Sequence, residues 1–197
     1  VSDIKAVLFD MDGTLLAPEE HSSLLEFKAR WGIPSDQLIV PNLAKLSPEA
    51  YQNFAEIESS LAQHAVLRPG VAEFLSDLRA RGIKTALVTN NTVASARTVM
   101  TKFALELDAV LTRDDHTMKP APDMLLSALE GFGLEPHNAV MVGDTRADSG
   151  AAAAAGMRHC YLIAEPWNET LEDARTTRVT DFAVLKAALL EGDVVRA

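Results

Sequence analysis

Short apolar runs alternate with helical periodicities along most of the chain, and this alternation restricts the fold more than any other feature. Ile4–Phe9, Ile83–Thr89, Asp108–Leu111, Asn138–Val142 and His159–Ile163 are runs of strand length, largely apolar. A strand covered on one face alternates apolar with polar residues, whereas one covered on both faces reads as a continuous apolar run. Between these runs, apolar residues recur at helical spacing. Val71, Phe74, Leu75 and Leu78 precede a stop at Gly82, and further helices are expected over Thr92–Phe103, Met124–Phe132, Ala147–Ala155 and Phe182–Leu190. Strands and helices taking turns imply a mainly parallel sheet with helices on both faces, an α/β architecture of three layers.

One stretch departs from the alternation. From His21, Leu24, Leu25, Phe27 and Trp31 repeat at helical spacing until Gly32. Ser35 or Asp36 is the expected cap of a short second helix ending near Leu46. Ser47-Pro48-Glu49 opens a third, with proline in its first turn and an apolar face of Tyr51, Phe54, Ile57, Leu61 and Ala65. The reading is an all-helical insertion at 17–66 within an α/β domain made of 1–16 and 67–197. A chain of 197 residues is long enough for both.

Charge and cysteine content narrow the function. The net charge is −10 and no Lys/Arg run occurs, which argues against nucleic acid and against an anionic membrane as partners. Cys160 is the only cysteine, so no disulfide forms within the chain and the reducing cytoplasm is the expected location. The apolar run at Ile4–Phe9 is too short for a signal peptide or a membrane span. A protein this acidic needs a local source of positive charge if its substrate is an anion.

Reactive side chains fall where the strands end, which is where α/β sheets bind their ligands. Asp10 and Asp12 follow the first run, Thr89 and Asn90 close the second, Lys119 lies beyond the third, and Asp144 and Asp148 follow the fourth. Any one of these is ordinarily a turn residue, a helix cap or a solvated lysine. Four exits of one sheet carrying them together is a different matter. Asp10-Met11-Asp12-Gly13-Thr14, Thr89-Asn90, Lys119-Pro120 and Gly143-Asp144-Thr145-Arg146-Ala147-Asp148 resemble, in order, the four motifs of the haloacid dehalogenase (HAD) superfamily. The resemblance covers about residues 4–163 apart from the helical insertion. The insertion point is similar to that of the phosphoglycolate phosphatase and β-phosphoglucomutase branch, whose helical cap stands there. The resemblance implies a Rossmann-like core with a small helical cap, and a phosphatase acting on a small phosphorylated metabolite. A monomer or homodimer is expected.

The residues suit that chemistry. Asp10 is placed to attack phosphorus in line and form an aspartyl-phosphate, dividing one hard step into two. Asp12, two residues on, is placed to protonate the leaving oxygen and then to deprotonate the hydrolytic water. The resemblance assigns these same roles. Carboxylates crowded around a phosphoryl group require a cation, and Mg²⁺ prefers octahedral oxygen coordination with few carboxylates. Asp10 and Asp144 are the expected side-chain ligands, the Asp12 carbonyl is a third by resemblance, and Asp148, one helical turn beyond Asp144, faces the same ion directly or through water. Lys119 is expected to serve both catalysis and phosphate binding, with Thr89, Asn90 and amides at a helix N-terminus holding phosphoryl oxygens.

Other readings are set against specific residues. Receiver domains of signalling proteins have no place for the helical insertion and carry their acidic residues in a different order. Dehalogenases lack an acid at the position of Asp12. Phosphonatases need a cap lysine, but Lys28 and Lys45 read as solvated. Phosphomutases of the same branch keep both aspartates, and Thr14, where a bulkier apolar residue is expected in a mutase, favours hydrolysis. A non-catalytic regulatory protein on the same scaffold would be expected to lack one of Asp10, Asp12, Lys119 or Asp144, and all are present. Glu19, Glu20, His21 and Ser22 lie close in sequence to the first motif. Trp31, Tyr51 and Phe54 are expected in the insertion's own core, and Ala17-Pro18 and Arg68-Pro69-Gly70 are expected hinges.

Overall fold

The computed structural model describes residues 4–18, 22–34, 37, 39–43 and 45–191. Among these residues six parallel strands form one sheet: β1 (Ala6–Phe9), β2 (Lys84–Thr89), β3 (Ala109–Thr112), β4 (Ala139–Gly143), β5 (His159–Ile163) and β6 (Thr176–Val179), in the order β3-β2-β1-β4-β5-β6. β1 lies between β2 and β4, with Leu8 opposite Ala86 on one side and Met141 on the other. All four of its residues are buried, as its continuous apolar run requires. The chain builds outward from β1 to β3, then returns to β1's other edge as β4. That reversal opens a crevice at the carboxyl ends of β1 and β4, the usual ligand site of such a sheet.

Helices cover both faces. On one, α6 (Asp123–Phe132) and α7 (Arg146–Ala154) bring Met124, Leu125, Leu129, Ala151 and Ala152 against Leu8, Val88, Met141 and Leu162. The alanines of α7 let its backbone come close to the sheet. On the other, Phe9 meets Phe74 of α4 (Val71–Ala80) edge to face at 6.1 Å, and Phe74 meets Phe182 at 5.7 Å at the start of α8 (Phe182–Lys186). The remaining core helix is α5 (Val93–Lys102), whose N-cap is Thr92.

Two elements differ from the expected pattern. β6, at one edge of the sheet, has no apolar run: in Thr-Thr-Arg-Val only Thr176 and Val179 are buried. α8 spans only Phe182–Lys186, after which Ala187–Glu191 continues as one wider turn. Among the described residues no helix is long and apolar enough to cross a membrane.

The chain divides into two compact units, Glu19–Ala65 and, enclosing it in sequence, Val1–Pro18 with Val66–Ala197. The described elements of the smaller unit are the helices α1 (Ser22–Trp31), α2 (Val40–Leu43) and α3 (Pro48–His64). Phe27, Ile33, Ile39, Leu43, Ala50 and Phe54 form its core, with Phe27 and Phe54 rings 5.3 Å apart and Trp31 partly buried against them. Ser47 caps α3, its hydroxyl accepting from the Ala50 N–H at 3.3 Å. The buried face of α3 is Ala50, Phe54, Glu58 and Ala62, one row round from the face that starts at Tyr51. Tyr51 is 50% exposed and Leu25 61% exposed, so neither belongs to this core. Ser22 is exposed at the start of α1, while Glu19, Glu20, His21, Ser35 and Asp36 lie outside the described residues.

Phe74→Ala should destabilise the protein by about 3–5 kcal/mol, since it leaves a cavity between two aromatic neighbours. Denaturant unfolding monitored by circular dichroism checks this.

Candidate active site

The sheet's register brings two motifs together. The Asp10 N–H donates to the Val142 carbonyl at 2.9 Å, which sets Asp10 beside the Gly143-Asp144 exit of β4. Met11–Leu15 then makes a single wide turn. Gly13 in this turn has φ +79°, and a methyl group on it would overlap the Asp144 carboxylate. Gly143 is equally constrained, since a methyl there would overlap the Asp148 side chain. Glycine at both positions is what lets the carboxylates come this close.

Asp148 is positioned by the start of α7. It is the third residue of the helix, and one of its oxygens, Oδ2, accepts from the Thr145 N–H at 3.0 Å and the Thr145 hydroxyl at 2.7 Å. Its other oxygen takes the Lys119 ammonium at 2.6 Å. Asp148 is therefore a first-turn helix acid and a site residue at once. Lys119 also reaches Asp10 Oδ1 at 2.6 Å, and its side chain is almost wholly buried. The Lys119 backbone is held by Asn90, whose amide donates to the Lys119 carbonyl at 2.9 Å and accepts from the Lys119 N–H at 2.8 Å. The Lys119–Pro120 peptide is cis.

Charges here are badly matched. Asp10, Asp144 and Asp148 bring carboxylate oxygens within 4.8 Å of one another, and all three are buried. Burial pushes the Asp10 carboxyl well above its ordinary pKa, Lys119 opposes this, and the neighbouring aspartates add to it. Burial also pushes Asp144 up to about 7, with the charge of Asp148 reinforcing it. Burial alone would raise Asp148, but Lys119 and the Thr145 hydrogen bonds outweigh it and hold the group below the ordinary range. For Lys119, burial is outweighed by Asp10 and Asp148, which hold its pKa above normal. One ammonium among three buried carboxylates leaves a surplus of negative charge, which a bound cation would relieve.

Other expected residues lie close by. Asp12 is exposed and accepts from the Asn91 amide at 3.1 Å. Thr89 is buried, its hydroxyl oxygen accepting from the Asn91 N–H at 3.1 Å. Thr14 is fully buried and its hydroxyl donates to Asp144 Oδ1 at 3.3 Å. Asn90 has its amide bonded to the Lys119 backbone, as described above. Arg68, read from sequence only as part of a hinge, donates to the Gly13 carbonyl from Nε at 3.1 Å and Nη2 at 2.8 Å, and pairs with Glu165.

Sequence reasoning did not single out the turn after β5. Trp167 Nε1 donates to the Asp144 carbonyl at 3.1 Å and to Asp144 Oδ2 at 3.2 Å, and the Asn168 amide donates to the same carbonyl at 2.8 Å. Glu165, Trp167 and Asn168 follow a strand exit, as the expected site residues do. That position was the only signal available.

A family model described as haloacid dehalogenase-like hydrolase matches residues 34–156. The match includes Thr89, Lys119, Asp144 and Asp148 and begins beyond Asp10 and Asp12. The chain is 32% identical over 180 residues to an N-acetylmuramic acid 6-phosphate phosphatase of Pseudomonas putida, covering 79% of this chain and 81% of that one. It is 33% identical over 197 residues to a phosphoglycolate phosphatase of Nitrosospira multiformis, covering 84% and 86%. A crystal structure of a CbbY variant from Rhodobacter sphaeroides in complex with xylulose-(1,5)bisphosphate superposes with a TM-score of 0.72 at 21% identity, covering 96% and 98%, which shows a common fold.

The Asp144 shift has a consequence for stability. With the folded pKa near 7 and the ordinary value at 3.8, the metal-free folded state holds a proton that the unfolded chain has released. This group's contribution therefore falls as pH climbs from about 4 to about 7. In chelator, Asp144→Asn should gain melting temperature relative to the unaltered protein between pH 5 and pH 8. Paired thermal melts at the two pH values measure it.

Proposed function

The chain belongs to the haloacid dehalogenase-like hydrolases, and from that premise we propose that it is a Mg²⁺-dependent phosphatase of a small phosphorylated metabolite. The observation that carries this reading is the Lys119 ammonium, buried between the carboxylates of Asp10 and Asp148. Lysine has three N–H donors, so one remains for a phosphoryl oxygen.

Asp10 is the nucleophile. Its Oδ1 faces Lys119 and its Oδ2 attacks phosphorus, forming an aspartyl-phosphate as the alkoxide departs. Asp12 gives that alkoxide a proton and then removes one from the water that hydrolyses the intermediate. Its exposed side chain, tied to Asn91, is on the solvent side of the turn, where a leaving group arrives and departs. The Thr89 hydroxyl and Lys119 hold the phosphoryl oxygens. Asp10 and Asp144, with the Asp12 carbonyl, would hold Mg²⁺, and Asp148, whose carboxylate lies with theirs, would face it directly or through water. When bound, Mg²⁺ supplies positive charge to the phosphoryl group.

Relatives named for phosphoglycolate and N-acetylmuramic acid 6-phosphate support a small sugar or acid phosphate as substrate. The helical unit at 19–65 is then the cap that selects it. A single cysteine is consistent with the cytoplasm.

Asp10→Asn should lower turnover of an aryl phosphate by roughly 10³-fold or more, the behaviour of a removed nucleophile; a variant keeping half the rate would end the mechanism. Asp12→Ala should lose roughly 10²–10⁴-fold with alkyl esters and much less with a nitrophenyl ester, whose leaving group needs no proton. A uniform loss across a leaving-group series would count against the acid role. Chelation should stop turnover, with Mg²⁺ restoring it and Ca²⁺ doing so poorly, because Ca²⁺ accepts looser geometry.

A further inference from the structure

We infer that Trp167 is a positioning residue for the divalent cation, acting through the Asp144 carboxylate; the inference rests on the Mg²⁺ reading above. Among the described residues, the two oxygens of Asp144 each meet one protein donor. The Thr14 hydroxyl reaches Oδ1 at 3.3 Å, and the Trp167 indole N–H reaches Oδ2 at 3.2 Å. An ionised carboxylate oxygen accepts two hydrogen bonds, so each keeps a lone pair for a cation. Donors on opposite oxygens also fix the plane of the group, which sets the direction of those lone pairs.

Trp167 is 53% exposed, so its ring adds little to the core. Its polar edge, by contrast, is held in place. The adjoining Asn168 is fully buried, donating to the Asp144 and Ile163 carbonyls, each at 2.8 Å. Its own amide oxygen accepts from the Glu165 N–H at 3.1 Å and from Arg178 Nε at 2.9 Å. The turn is thus anchored from β5 and β6, and it presents the indole N–H to Asp144 whether or not the ring is covered. A donor of this kind orients a ligand before the metal arrives, so the cation meets a carboxylate already in place.

Trp167→Phe keeps the ring and removes only the N–H. Calorimetric titration of Mg²⁺ into the chelator-treated full chain should show binding weakened about tenfold, the lower end for loss of a partner behind a metal ligand. At saturating Mg²⁺, kcat should stay within about twofold and the melting temperature in chelator should be unchanged, so the defect appears in the Mg²⁺ dependence. A merely structural role would instead lower the melting temperature and leave Mg²⁺ affinity alone. Trp31→Phe leaves Trp167 as the one indole of the two in the chain, and Mg²⁺ should shift its emission with the calorimetric midpoint. Equal or tighter Mg²⁺ binding by Trp167→Phe, or an unshifted emission, would overturn the inference and leave the phosphatase reading standing. No Mg²⁺ binding by the unaltered protein would overturn the Mg²⁺ reading and the inference with it.

Discussion

Lys119 places an ammonium where almost no water reaches it, and a buried charge is tolerated only beside its partners. Asp10 and Asp148 both approach to 2.6 Å, from positions 109 and 29 residues away in the chain. Three separate pieces of backbone must therefore be in register before this charge can be covered. Asn90 holds the lysine backbone, the Asp10–Val142 hydrogen bond sets the end of β1 against β4, and the Thr145 cap turns Asp148 inward. Removing either carboxylate would leave a less compensated cation in the interior.

Around that lysine the site is assembled for negative charge in excess. A side chain at Gly13 would overlap Asp144, and one at Gly143 would overlap Asp148. Arg68 steadies the first turn through the Gly13 carbonyl, and Trp167 and Asn168 steady the exit of β4 through Asp144. These supports come from chain segments that carry no chemistry themselves. The result is a set of carboxylates held still, in a chain whose relatives include proteins named as phosphatases.

Much of this was legible in the linear order of residues. Continuous apolar runs marked the buried strands, and Asp10, Asp12, Thr89, Lys119, Asp144 and Asp148 stood out because reactive side chains rarely gather at four strand ends by accident. β6 was hidden because Thr-Thr-Arg-Val holds a single apolar residue and so no run to read. Tyr51 was misplaced because periodicity gives a helix's spacing but not its rotation against a neighbour. Arg68 and Trp167 were obscure for a related reason: their partners lie 55 and 23 residues away, and nothing local announces them.

The linear order thus carried the α/β class, through local periodicity, and the candidate site residues, through reactive side chains at four strand ends and the family resemblance they carry. Tertiary structure alone decided that β1 and β4 are neighbours, that the Asn90 amide bonds to the Lys119 backbone, and that Trp167 stands behind Asp144. Each of those is a pairing between remote segments. Strand order, register and helix rotation are set by packing of the whole core, and no short stretch contains that information.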